Sequence, residues 1–362
     1  MMDSFSGSYA EARAKFIAAA SAANARIYNY GRDDLTGREG ERLTCDVAVL
    51  GDDTSEKAMI VITGTHGIEG YCGSAILHRW LTSQVGNPLS ESIKIVLLHA
   101  VNPWSFSHNT RTTENNVDLN RNFLLNSASF ERPNSSYDKL VPFLHGKTYS
   151  ANQNLATHRA YKAYLDQHGW HIENEMLQGQ THRADGHCYA GKQPEWANHT
   201  FRKIINDHLS SANTIGFIDW HTGVGSYGEV VHLIFDDKGS PEHAAATHWW
   251  GNAGTEGGAF NSGTVPKYEG LLCKAIRQEL GKPRIAGAVI EFGTGDDFCM
   301  FRADCLDRWL RFEGRDDKQY NQFRDDYRNA FCPNDVAWRR LVLHEGPTKI
   351  DQLAHGVLAW HV

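Results

Sequence analysis

Short apolar runs that stop at glycine, with helical stretches between them, limit what this chain can fold into. Met59, Ile60, Val61 and Ile62 form such a run, which reads as a strand buried on both faces and belongs to a longer one, Ala58 to Thr63. Gly64 ends it, Gly67 and Gly70 permit a sharp turn, and Tyr71 to Thr82 resumes at helical spacing. The next run, Ile93 to Val101, follows that helix, so strand, helix and strand imply a parallel crossover. Ile215 to Trp220 and Ile285 to Phe292 continue the pattern and run into His221-Thr222-Gly223 and Gly293-Thr294-Gly295. An α/β fold with polar residues at the ends of buried strands is the expectation, and in open sheets of that kind strand ends carry the site.

The rest of the chain is read around those strands. Tyr9 to Ala23 predicts a helix, Gly31 to Glu41 a loop, Cys45 to Leu50 a strand, and Val230 to Phe235 another. Asn102 to Phe123 is rich in Asn and Thr and reads as a long functional loop. Ser127 to Ser211 predicts helices around Ala160 to Leu165 and Trp196 to Leu209, with a loop near Gly179 to Pro194. Its His158, His168, His171, His182, His187 and His199 lack ligand spacing and read as surface or structural residues. Gly251 to Thr264, with five glycines, reads as a mobile flap or loop; Gly270 to Leu280 reads as a helix, and the remainder after Gly295 as helices covering one face of the sheet. With 362 residues, 41% of them hydrophobic, and no repeat or linker, one domain over 1–362 is expected.

A net charge of -7 with interspersed signs excludes the concentrated basic face of a nucleic-acid binder. Neither a leader-like start nor an apolar run of membrane-spanning length is seen, so a cytoplasmic protein without a membrane partner is expected. The seven cysteines include no C-x-x-C pair, which argues against a zinc ribbon or disulfide framework and for reduced thiols.

His66 and Glu69, three residues apart on a strand-to-helix turn, can present an imidazole and a carboxylate to one point. His221 at another strand end completes a two-His, one-carboxylate set, which suits zinc with a position left open. Glu291, also at a strand end, is a separate carboxylate able to take a proton from water. In the polar loop Arg111 and Arg121 are fork-shaped donors and Asn120 adds an amide, a group suited to a carboxylate or a developing oxyanion.

The run of GTHGIEG, Asn102-Pro103, Arg111, VDLNRNF, DWHTG and IEFGTG, in that order, resembles the zinc carboxypeptidases with their aspartoacylase and succinylglutamate desuccinylase relatives. Gln178 to Gln180 and Tyr189 to Trp196 are similar to an uncharacterised bacterial branch of that superfamily. The resemblance implies a three-layer α/β/α sandwich with a mixed, mostly parallel central sheet, and one Zn2+ per chain on His66, Glu69 and His221. It implies further that Glu291 is general base and acid, that Arg111 polarises the scissile carbonyl, and that Asn120 and Arg121 hold the substrate's free carboxylate. Asp118 would orient a ligand imidazole, and Tyr268 matches the family's mobile pocket tyrosine. The implied substrate is a small peptide or N-acyl amino acid with a free carboxylate. Carboxypeptidase-like hydrolysis is the first reading. The short gap from Arg111 to Asn120 matches the deacylase branch and makes an N-acyl amino acid deacylase the second. A zinc-loaded binding module without turnover is the third.

Overall fold

The computed structural model describes residues 2–86, 92–251, 266–281 and 283–360. Its strands are β1 (Arg26–Thr36), β2 (Arg42–Leu50), β3 (Lys57–Ile62), β4 (Lys94–His99), β5 (Thr214–Gly223), β6 (Val230–Leu233) and β7 (Arg284–Gly293). They form one sheet in the order β1-β2-β4-β3-β5-β7-β6. β4, β3, β5 and β7 run parallel, and β1, β2 and β6 are antiparallel to their neighbours.

Side-chain alternation along the strands builds the layers. Met59 and Val61 of β3 point into one core, with the helices Tyr9–Ala22, Gly70–Gln84 and Val336–Ala359. Ala58, Ile60 and Ile62 point into the other, beneath the helices Trp196–Leu209 and Leu272–Leu280. The result is an α/β/α sandwich around a mixed, mostly parallel sheet, as the motifs imply. The first helix after β3 lies unusually close to the sheet because Gly73 has no side chain: a Cβ there would sit 2.8 Å from that of Thr63. That closeness keeps the turn bearing His66 and Glu69 over the sheet's edge.

From β3 the chain crosses to β4 on one side, and β5 later pairs on the other. Such a reversal opens a crevice at the carboxyl ends of the strands. Three helices, Ser135–Leu144, Ala151–His168 and His171–Leu177, share a small core of Tyr137, Leu140, Tyr161, Leu165 and Met176. Phe301 and Cys305 of the helix Asp297–Phe312 pack against that core.

Two expectations are corrected. Most of the loop expected at Gly31 to Glu41 is the second half of β1, paired with β2 through Arg32 and Leu43. An edge strand has one free side and needs little apolar content, so its polar sequence disguises it. Asn102 to Phe123 is not a plain loop. It contains the short helices Pro103–Ser107 and Leu119–Asn122, started by Asn102 and Asp118, whose side chains accept from Ser105 N and Asn120 N. Apart from the exposed Asn115, its Asn and Thr side chains are buried, several of them capping or bridging the backbone as Thr113 Oγ1 does for Val117 N. The expected flap is beyond reach, since residues 252–264 lie outside the described residues. Among the described residues no helix is long and apolar enough to cross a membrane.

Candidate active site

β3 ends two residues before Gly64, and the following turn buries His66 and Glu69 at 3% and 2% exposure. β5 carries His221 at its own carboxyl end, where the two imidazole rings meet edge to face with centroids 4.9 Å apart. His66 Nδ1 and His221 Nδ1 each lie 2.9 Å from one oxygen of Glu69. The ligating atoms of His66, Glu69 and His221 all fall within 4.8 Å of one another. Among the described residues no other cluster of His, Cys, Asp or Glu meets that test.

The far side of each imidazole is held by a carboxylate. Asp118 Oδ1 stands 3.0 Å from His66 Nε2, and Asp219 Oδ2 stands 3.0 Å from His221 Nε2. Asp118 orients the His66 ring by a hydrogen bond, Asp219 sets a negative charge behind His221, and both Nδ1 atoms face Glu69, so the residues fit a zinc ion bound by two nitrogens and a carboxylate. Burial works against charge on Glu69 and Asp118, yet the neighbouring imidazoles, with Arg111 beside Asp118, hold both carboxyls low. Burial likewise opposes charge on His221, but Asp219 and Glu69 raise it well above the usual imidazole range. Asp118 is the carboxylate expected beside a ligand imidazole, and it contacts His66. Asp219 was not assigned a role in the sequence, although a strand puts residues two apart on one face and so pairs it with His221.

Asp219, behind His221, is expected to tune any metal held by this cluster. Asp219→Asn is expected to weaken zinc affinity about ten- to hundredfold, as read by competition with a chromogenic chelator. Unchanged affinity would remove Asp219 from the site.

Arg111 Nη1 donates to Glu69 Oε1 at 2.9 Å, and its Nη2 lies 3.6 Å from Asp118 Oδ2. Asp307, from the helix Asp297–Phe312, anchors that segment: it accepts from Thr110 Oγ1 at 2.9 Å and Arg111 N at 3.3 Å, and pairs with Arg324 at 2.6 Å. Nothing local in the sequence links Asp307 to Arg111. Glu291 lies on β7 directly opposite His221 in the parallel register. Its Oε2 accepts from Val224 N at 3.4 Å, and burial pushes its carboxyl up to about 7.

Arg121 and Tyr268 meet in the same cavity, the guanidinium carbon 4.6 Å from the ring centroid. Arg121 is 5% exposed and donates to the carbonyls of Leu177 at 2.7 Å and Asn120 at 2.8 Å. Asn120 Oδ1 accepts from Leu272 N at 3.0 Å, which leaves the amide nitrogen as its donor toward a ligand. The cavity measures about 710 Å3, and the nine residues given a candidate site role all line it. His158 and His187, read as surface or structural, line it as well.

A family described as "Protein of unknown function (DUF2817)" matches residues 5–345. The chain belongs to that family. Among curated proteins none matches its sequence. Among solved structures, bovine thrombin-activatable fibrinolysis inhibitor in complex with tick carboxypeptidase inhibitor is similar at 12% identity and TM-score 0.51, covering 98% of this chain and 97% of that one. Another structure of thrombin-activatable fibrinolysis inhibitor is similar at 13% identity and TM-score 0.53, covering 98% and 75%. Carboxypeptidase A from Helicoverpa armigera is similar at 13% identity and TM-score 0.49, covering 91% and 75%. This DUF2817 chain therefore has the carboxypeptidase-like fold that its motifs imply.

Proposed function

We propose that the protein is a zinc-dependent hydrolase that cuts an amide bond next to a free carboxylate, in the manner of a carboxypeptidase, with one zinc per chain. The observation that carries this reading is the register of β5 and β7, which sets Glu291 beside His221 where His66 and Glu69 converge. Zinc held there supplies Lewis-acid polarisation and a water acidic enough to act near neutral pH. Glu291, in its carboxylate form, accepts the proton of the attacking water and returns it to the leaving amine. Arg111 donates to the oxygen of the scissile carbonyl as charge grows there. Arg121 and Asn120 hold the substrate's carboxylate, with Tyr268 stacked on the guanidinium.

Arg121 supports the carboxylate assignment because it is buried with carbonyls and a ring for company, and forms no ion pair among the described residues. A cation so placed favours an anionic ligand. Deacylation of N-acyl amino acids uses the same groups, and the cavity of about 710 Å3 favours a peptide over a short acyl group. A binding module without turnover has no need of both Glu291 and Arg111.

The test is a panel of dipeptides and N-acyl amino acids, each with its carboxylate free or amidated, assayed with and without a chelator. Activity should vanish on chelation and return with zinc. Arg121→Ala should raise KM for free substrates about ten- to hundredfold with a smaller change in kcat, because the contact exists before and during the reaction. Amidation should impair the wild type and add little to the variant. Equal cleavage of amidated and free substrates by the wild type would replace this reading with an endopeptidase or esterase.

A further inference from the structure

The cavity carries more negative charge than the proposed chemistry uses. Nine carboxylates line it against four Lys or Arg side chains, a surplus that one divalent ion offsets only in part. Most of these carboxylates have assigned work: Glu69, Asp118 and Glu291 belong to the centre, Asp307 pairs with Arg324, and Asp297 pairs with Lys162 at 2.7 Å. Asp304 and Glu173 stand apart.

Asp304 lies on the helix Asp297–Phe312, seven residues after Asp297 and three after Phe301, and all three line the cavity along one helical face. Glu173 comes from the helix His171–Leu177 and accepts from Tyr161 Oη at 2.8 Å. Tyr161, on the helix Ala151–His168, has its ring 5.0 Å from that of Phe301, so the tyrosine that donates to Glu173 packs one turn from Asp304 on the neighbouring helix. Neither carboxylate forms an ion pair with Lys or Arg among the described residues. Burial raises both carboxyls above the usual range, as expected where no cation is in contact.

His187 is an independent sign of a missing donor. Its Nε2 lies 3.0 Å from the Asp304 carbonyl, which only accepts, so Nε2 carries the hydrogen and Nδ1 is a bare acceptor. Among the described residues that Nδ1 is buried without a partner. Burial lowers the His187 pKa and keeps the ring neutral. Among the described residues, the wall of one cavity thus carries two carboxylates without a cation in contact, Glu173 having only the Tyr161 hydroxyl, and an imidazole nitrogen without a donor. A buried acceptor left without a donor is costly, and a primary ammonium supplies three donors and a positive charge. A carboxylate-bearing acyl group such as succinyl would instead meet like charge.

We propose that Asp304 and Glu173 form an ammonium-binding wall, so that the preferred substrate carries a free amine in addition to the carboxylate held at Arg121. This deepens, and rests on, the hydrolase reading above. It directs the protein toward short peptides with a free amino group and away from N-acetyl or N-succinyl amino acids. The amine belongs either to the peptide's amino terminus or to a side chain on the acyl side.

Calorimetric titration of zinc-loaded Glu291→Gln tests this without turnover, using alanyl-alanine, N-acetyl-alanyl-alanine and N-acetyl-lysyl-alanine. At least one amine-bearing peptide should bind about tenfold or more tightly than N-acetyl-alanyl-alanine, and which one does so identifies the amine's source. Adding Asp304→Asn or Glu173→Gln should cut that preference to about threefold or less. Two separate variants guard against misfolding of either. Equal or tighter binding of N-acetyl-alanyl-alanine, a preference that survives both variants, or binding by none of the three peptides would overturn the wall. If the expected order holds while wild-type enzyme leaves all three intact, the wall stands and the hydrolase reading fails.

Discussion

Glu291→Gln is expected to lower kcat by about a hundredfold to ten-thousandfold while zinc content stays at one per chain. The carboxamide preserves size and can still accept from Val224 N, the bond that Glu291 Oε2 makes at 3.4 Å. What it loses is the capacity to take a proton. Glu291 stands opposite His221 in the strand register, beside the centre but outside the set whose ligating atoms lie within 4.8 Å of one another. Removing its charge should therefore leave metal affinity nearly intact and abolish proton transfer. Steady-state kinetics alongside elemental analysis separate the two. Parallel loss of zinc would reassign Glu291 as a ligand, and turnover within about threefold of wild type would remove it from proton transfer.

The parts of this site that could be read from sequence are those fixed by local spacing. His66 and Glu69 share one turn, and His221 and Glu291 end apolar runs, so strand ends and turn glycines give their positions away. Asp219 was legible in principle, because strand alternation places it with His221. The wall formed by Glu173, His187 and Asp304 was not legible. Its members come from separate elements, and their neighbourhood depends on how the helices Ala151–His168 and Asp297–Phe312 pack around Tyr161 and Phe301. Asp307 illustrates the same limit, since its hold on Thr110 and Arg111 crosses nearly two hundred residues of chain. In the fold, the buried central strands announce themselves by apolar content. β1 does not, because a strand paired on one side only has little apolar surface to conceal. Polar Asn102 to Phe123 misleads for the opposite reason: it is buried, but its side chains satisfy the backbone rather than an apolar core.

Arg111→Ala is expected to lower kcat by about a hundredfold to a thousandfold with less effect on KM than Arg121→Ala. Both residues carry the same guanidinium in the same cavity, so the contrast has to come from what each one faces. Arg121 is held by the carbonyls of Leu177 and Asn120 and stacked on Tyr268, and its proposed partner is a charge that the substrate already has. Arg111 touches Glu69 at 2.9 Å, its side chain is 27% exposed, and its proposed partner is an oxyanion that exists fully only in the transition state. The contact with Glu69 introduces a competing explanation, in which Arg111→Ala acts by disturbing the metal site. Zinc content distinguishes them: retained zinc with lowered kcat assigns Arg111 to the oxyanion, and lost zinc assigns it to Glu69. Arg111→Lys supplies a further check, because a lysine keeps the charge but not the fork that reaches Glu69 and the substrate oxygen together. It should restore zinc affinity more readily than rate. A kcat unchanged in Arg111→Ala would remove the residue from the chemistry and leave its bond to Glu69 as its role.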